Sequence, residues 1–326
     1  MNTLINNNQI ATVQNNSHNQ RGESHFIEAN TQKVSLEHLT KDCIVPVFSK
    51  DNETTISHHE FINSVEHVVK DIFHGEEILK TNIRVSHVIK GRIPSAIGKP
   101  VRELLEHERT IYYERCAFIV EVPSIQREIG DNLLSLTVGG VRAYNQENLY
   151  SKKSMEKFKV FIGFKNLVCT NLCISTDGFS NELRASSQDE LKEKVMELIN
   201  GYHMEIHLNN LNQLQNHYLD EYQFAHFTGR LRMYPFLDKE AKETIYPSKL
   251  NDGQVTKVVR DYYECPNFGR ESNGSINLWK LYNLFTEANK SSYIDNSFER
   301  NVNAFELMQN IGLSIEIGEK NWYLHK

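Results

Sequence analysis

Two residue pairs in this chain have the types and spacing of metal ligands. Cys169 and Cys173 are four apart, and so are His203 and His207. Cys-x3-Cys followed by His-x3-His falls in the range of structural zinc sites, where thiolates and imidazoles close a tetrahedron with bonds of roughly 2.0–2.3 Å. Both cysteines lie in the apolar stretch Lys159–Gly178, KVFIGFKNLVCTNLCISTDG. That stretch reads as two strands, Lys159–Phe164 and Leu167–Ser175, closed by a Thr176-Asp177-Gly178 turn. Residues four apart in a strand share a face but sit about 13 Å from each other. One ion cannot bridge that distance unless a tight turn falls at Asn171. The cysteines therefore read as core thiols and no cofactor is expected, with zinc on Cys169, Cys173, His203 and His207 as the weaker alternative. Nucleophilic catalysis by Cys169 would need an imidazole and an orienting group from afar, and its flanks Leu167 and Val168 favour a packed, inert thiol. Gly139-Gly140 does not fit a phosphate-cradling Gly-x-Gly-x-x-Gly loop.

A second constellation is cationic. Lys80, Arg84, Lys90, Arg92, Lys99 and Arg102 fall within Lys80–Arg102, which holds no Asp or Glu. Tyr112, Tyr113, Arg115, Arg142 and Tyr144 follow on expected strands, and alternation puts Tyr113 and Arg115 on one face. Aromatic side chains beside Arg and Lys on a sheet suit a single nucleic-acid strand, whose phosphates pair with the cations while its bases stack. The nucleic-acid-binding set read from sequence is thus Arg84, His87, Lys90, Arg92, Lys99, Arg102, Tyr113, Arg115, Arg142 and Tyr144. The competing reading pairs these cations with the chain's own acids.

The elements that must position these residues change character along the chain. Residues 1–35 are rich in Asn, Gln and Ser, and read as a disordered tail. Cys43–Phe48 is strand-like. Ser57 and Glu60 have capping-box spacing at the start of a helix whose inner face is Phe61, Val65, Val68 and Val69. Thr110–Val122 and Leu133–Tyr144 read as an antiparallel pair around Gly130, with a bulge at Gly139-Gly140. From Ser187 the pattern is helical, with windows near 221–233, 254–265, 276–289 and 296–311 and a kink at Gly201. Ser314–Ile317 and Asn321–Leu324 read as a terminal hairpin around Gly318. The expected fold class is α+β: a mostly antiparallel sheet within 40–180, covered by helices from 187–311, in one domain spanning 36–326.

With 326 residues and a net charge of −6, the chain does not have the balance of a protein that coats nucleic acid without preference, though a local basic face is compatible with it. The N-terminus shows no basic region followed by an apolar core, and no apolar run approaches the roughly 20 residues that span a bilayer. Five cysteines scattered through apolar contexts suit reduced thiols in a cytoplasm.

Phe164-Lys-Asn-Leu-Val-Cys-Thr-Asn-Leu resembles the strand signature of the uncharacterised phage/plasmid-like protein family. Val141-Arg-Ala-Tyr-Asn lies where that family has an Asn-containing turn, and Asn277-Leu-Trp-Lys-Leu-Tyr-Asn-Leu-Phe-Thr-Glu is similar to its later helix. Val45-Pro-Val-Phe-Ser-Lys-Asp-Asn-Glu and Arg84-Val-Ser-His-Val-Ile-Lys-Gly-Arg-Ile-Pro resemble a narrower subfamily carried on conjugative and integrated elements. The resemblance implies a mobile-element setting and no particular reaction. Within the helical motif Asn283, Thr286 and Glu287 are the polar positions that would line a groove. The expectation is a non-catalytic protein that binds nucleic acid, single-stranded DNA among the candidates. A protein-interaction module acting on a host factor such as a defence enzyme, and an enzyme with an unrecognised site, are the other two readings.

Overall fold

The computed structural model describes residues 25–41, 56–87, 89–92, 94–96, 99–142 and 155–324. Its elements in chain order are β1 (Thr31–Val34), α1 (Leu36–Lys41), α2 (His58–Ile72), β2 (Asn82–Ser86), β3 (Ile89–Arg92), β4 (Arg109–Tyr113), β5 (Cys116–Ile129), β6 (Asn132–Arg142), β7 (Glu156–Asn166), β8 (Leu172–Cys173) and β9 (Phe179–Ala185). There follow α3 (Gln188–Gly201), α4 (Met204–Gln213), β10 (Tyr218–Leu219), α5 (Glu221–Met233), α6 (Lys239–Glu243), α7 (Asp252–Glu264), β11 (Ile276–Asn277), α8 (Leu278–Asn289) and α9 (Ile294–Ile317). The fold class is α+β, with the strands in the first half and most of the helix in the second.

The main sheet is an antiparallel meander in the order β1-β2-β5-β6-β7-β8, with β9 pairing further along the same edge of β7 as β8. β5 and β6 are joined by the tight turn at Gly130, whose φ is +58°, and their register runs from Ile129↔Asn132 to Cys116↔Arg142. β3 and β4 leave the meander between β2 and β5 as a separate two-stranded ribbon.

Alternation along the strands feeds two cores. Val120, Val138, Phe158, Val160, Ile162 and Phe164 point to one face, where α2 brings Phe61, Val65 and Val69 and α3 brings Leu191 and Val195. Helices α4, α5, α7 and α8 extend that core. Ala117, Ile119, Val141, Phe161, Leu172 and Ile174 point to the other face, covered by Phe26 and Ile27 before β1 and by Ile294, Phe298 and Val302 of α9. A strand buried on both faces reads as an unbroken apolar run, which is why Lys159–Phe164 looks so uniformly apolar.

Several boundaries differ from the sequence reading. The fold begins ten residues before the end of the expected tail, because Phe26 and Ile27 are buried and β1 pairs with β2. The expected strand at Cys43–Phe48 and residues 1–24 lie outside the described residues. Gly139 and Gly140 sit in regular register opposite Ile119 and Phe118, and the shift in register falls instead between Val122 and Gln126. The missing side chains make room for packing rather than bending the strand. Gly201 ends α3, and α4 starts at Met204 after a break. The terminal hairpin does not form: α9 continues to Ile317, and Gly318 closes it at φ +68°, a left-handed cap.

A Cβ on Gly139 would lie 2.5 Å from the Phe118 carbonyl oxygen and 2.6 Å from the Phe161 ring. Gly139→Ala should therefore lose about 1–3 kcal/mol of stability, the usual scale of overpacking, measured by urea denaturation. Gly201→Ala, where a Cβ meets nothing within 4 Å, should lose much less.

Candidate functional site

The turn that joins β7 to β8 is where the cysteine reading is decided. β7 runs unbroken to Asn166, and the chain reverses over Leu167–Thr170. Asn166 Oδ1 accepts from the Val168 amide at 2.9 Å, the Asn166 carbonyl accepts from the Thr170 amide at 2.8 Å, and Thr170 sits in the left-handed region at φ +60°. The second expected strand, Leu167–Ser175, is thus reduced to Leu172–Cys173 plus a turn. A tight turn does intervene near Asn171, yet no third ligand joins the two thiols among the described residues. Cys173 is buried in the large core beside the Tyr282 hydroxyl. Cys169 lies against the Asn283 side chain, with Sγ 3.8 Å from Oδ1, at the edge of a cleft.

The histidines are no closer to forming a site. His203 is exposed, with its amide 2.9 Å from Asp177 Oδ2 and its ring nitrogen 3.3 Å from the same oxygen. His207 is buried, its Nδ1 2.7 Å from the Tyr202 hydroxyl and its ring 4.9 Å from that of Phe305. Among the described residues no group of three or more His, Cys, Asp or Glu side chains is placed to hold a metal ion. Burial pushes the Cys169 thiol up to about 12, although Lys290 pulls the other way. Burial also raises Cys173 far above the ordinary thiol range. Both are protonated at neutral pH, whereas ligands and nucleophiles are thiolates.

The polar residues of the turn and of α8 form a buried seam. Asn283 Oδ1 accepts from Asn166 Nδ2 at 3.1 Å, the Asn283 carbonyl accepts from Asn171 Nδ2 at 2.9 Å, and Asn283 Nδ2 donates to the Trp279 carbonyl at 2.9 Å. Lys290, only 2% exposed in its side chain, reaches the Cys169 carbonyl, Thr170 Oγ1 at 3.1 Å and Glu287 Oε2 at 2.7 Å. Burial works to raise the Glu287 carboxyl, but Lys290 and Lys257 outweigh it and hold the group below its usual range. The expected groove exists in part. Glu287 and Cys169 line a cleft of about 540 Å³ together with Lys257, Cys265 and Phe268, while Asn283 and Thr286 are buried behind it. Lys257 and Cys265 come from α7 and its cap, about 90 residues from the turn, and no local signal in the sequence announces them.

The cationic set divides sharply. Arg84 is buried, with Nε 2.7 Å from Thr31 Oγ1 and a terminal nitrogen 2.8 Å from the Thr31 carbonyl. Arg142 is fully buried, 2.9 Å from Glu156 Oε1 and 4.5 Å above the Phe158 ring. Arg115 is paired with Asp295 at 3.2 Å and lies over Tyr293. Lys99 pairs with Glu108 at 2.5 Å, and the largely exposed Arg102 is 3.7 Å from Glu103. Arg84, Arg115 and Arg142 therefore do not present their charge on the surface, because an internal partner holds each guanidinium. Tyr144 lies outside the described residues.

What the fold does bring together is the ribbon. Ile89 pairs with Tyr113, Lys90 with Tyr112 and Arg92 with Arg109, with a shift of register between Lys90 and Arg92. Neither strand contains an acid. Exposed His87 leads into it. The sequence reading missed Arg109, whose signal was the short β-rich run Arg109–Tyr113 ending at Glu114. No helix among the described residues is long and apolar enough to cross a membrane.

Meander, ribbon and helical cover define an α+β protein whose distinctive parts are a basic β-ribbon and a two-sided buried sheet. The chain belongs to the family described as "Domain of unknown function, B. Theta Gene description (DUF3871)", which matches residues 6–324. No curated protein and no solved structure matches it.

His207 and His58 give the fold a defined acid response. Burial lowers His207 from the ordinary 6.5 to about 4 and, with Arg142 adding to it, His58 to about 3. Below pH 6.5 the unfolded chain takes up protons that the folded chain refuses, so stability falls as pH drops from 6.5 toward these values and is unaffected above 6.5. Each histidine contributes a slope of up to about 1.4 kcal/mol per pH unit. In urea titrations between pH 6.5 and 4, His207→Gln should reduce proton uptake on unfolding by about one, whatever its effect on stability at pH 7.

Proposed function

We propose that the chain is a nucleic-acid-binding protein and that the β3–β4 ribbon is its contact element. The observation that carries this reading is the ribbon's register. Arg92 stands directly across from Arg109 in the register, and opposed like charges carry a cost that a bound anion would relieve. Lys90 stands across from Tyr112, and Tyr113 is one step further along. Arg, Lys and Tyr positions set side by side in the register of a two-stranded ribbon suit a sugar–phosphate backbone with unstacked bases, which favours a single strand.

The reading needs only a local basic element. With a net charge of −6, long-range attraction of the whole chain to a polyanion is unfavourable, and contact is confined to where acids are absent. The resemblance of the strand and helix motifs to phage/plasmid-like proteins supports a mobile-element setting in a cytoplasm, where a strand-binding role is useful and no reaction need follow.

The test is binding of labelled single- and double-stranded DNA at two or more salt concentrations. The wild-type chain should prefer the single strand. Combined Lys90→Ala, Arg92→Ala and Arg109→Ala should make the dependence of log affinity on log salt shallower by about 2, since each cation accounts for roughly 0.7 on a single strand. No binding at low salt, or a slope that the triple substitution leaves unchanged, rules the reading out.

A further inference from the structure

Helix α5 is apolar on two opposite sides. Its inner face is ordinary: Phe224, Phe227, Thr228 and Leu231 are buried against the helical core. Its outer face should be polar in a surface helix. Instead Tyr222 is 72% exposed, Met233 is 52% exposed, and Phe236, in the turn that continues the helix, is 88% exposed. Ala225 and Gly229 lie between them and are also exposed. At 100° per residue these five positions fall in one stripe roughly 80° wide.

Gly229 is the informative member. Glycine inside a helix costs about 1 kcal/mol relative to alanine, and a structure usually offsets that cost by a close approach. Among the described residues there is none: a Cβ at Gly229 would meet nothing within 4 Å. Ala225 and Gly229, four apart, leave a shallow notch flanked by aromatic and Met side chains.

We infer that this stripe is a self-association surface, on which α5 of a second copy packs antiparallel. The stripe complements itself under a two-fold axis near Phe227. Ala225 of one copy then lies beside Gly229 of the other, which permits close approach, and Tyr222 lies beside Met233, a favourable sulfur–aromatic contact. Charge agrees with this direction. The first turn of α5 carries Glu221 and the last turn carries Arg230 and Arg232. An antiparallel pair sets acid against base at both ends, and a parallel pair sets like against like. Within the chain Glu221 already accepts from Arg270 at 3.1 Å and Arg232 is 2.9 Å from Asp252. These pairs are partly exposed, so the second copy would extend them into networks rather than break them.

The experiment is light scattering on the eluting full-length chain across a concentration series, with thermal unfolding recorded for each variant. The wild type should be a dimer. Gly229→Arg, which puts bulk and charge into the notch without touching the chain's own core, should weaken association at least about 30-fold, the effect of a hot-spot substitution. Tyr222→Ser should weaken it as well, and the monomer fold of both variants should be retained. A wild-type chain that is monomeric at about 100 μM, well above the range of a specific interface, overturns the inference. So does a dimer that survives both substitutions.

Discussion

The structure depends on the requirement that polar groups buried beside the β7–β8 turn find partners. Asn166, Asn171, Asn283 and Lys290 are all nearly or fully inaccessible. A buried amide without a partner costs on the order of 1–3 kcal/mol, and a buried ammonium costs more. Asn283 accepts from the side-chain nitrogens of both turn asparagines at once, and Lys290 takes the turn's carbonyl and hydroxyl groups while pairing with Glu287. The seam fixes where α8 stands relative to the sheet. A slip of one residue along the helix would rotate Asn283 by 100° and leave both turn amides unmatched. The apolar contacts of Trp279, Tyr282 and Phe285 around it tolerate small shifts, so the polar seam supplies the register that the core alone does not.

The same seam explains why the Cys169–Cys173 pair has the spacing of a metal motif without its chemistry. The turn that could have gathered two thiols on one ion is held by asparagine amides, and burial keeps both thiols protonated. One packs beside Tyr282 and the other faces a mixed cleft where Lys257 and Glu287 neutralise each other at 3.0 Å. Much of the positive charge of the strands in the first half is similarly consumed by structure. Arg84 fastens β1 to β2, Arg142 fills the end of β6 and Arg115 joins the sheet to α9. The ribbon carries Lys90, Arg92 and Arg109 with no acid on its own strands.

Much of the architecture was legible because local rules and global packing agree. The Ser57–Glu60 capping box, the apolar stripe of α2 and the turn at Gly130 each follow from short-range chemistry that tertiary contacts reinforce. Misreadings arose where a signal had two physical causes. Adjacent glycines signal either a bulge or close packing, and here the Phe118 and Phe161 contacts decide for packing. Gly318 marks either a hairpin or a helix cap, and the run Ser314–Ile317 was long enough to continue α9. The sequence offered two fates for the arginines, nucleic-acid contact or pairing with the chain's own acids, and could not choose between them. Whether a strand arginine faces solvent or an internal carboxylate depends on Glu156, Asp295 and Thr31, which are remote in sequence from Lys80–Arg102, and charge counts over a window cannot see such partners.

The order in which the sheet acquires its cover has a consequence for biosynthesis. The meander is assembled largely from neighbouring strands, and α2 and α3 supply one cover early in the chain. The other face, bearing Ala117, Ile119, Phe161, Leu172 and Ile174, has Phe26 and Ile27 from the start but waits for Ile294, Phe298 and Val302. During synthesis at roughly 5–20 residues per second, more than 100 residues separate the completion of that face from the arrival of its lid. A nascent chain therefore carries a half-covered hydrophobic sheet surface for several seconds, an interval of exposure to aggregation.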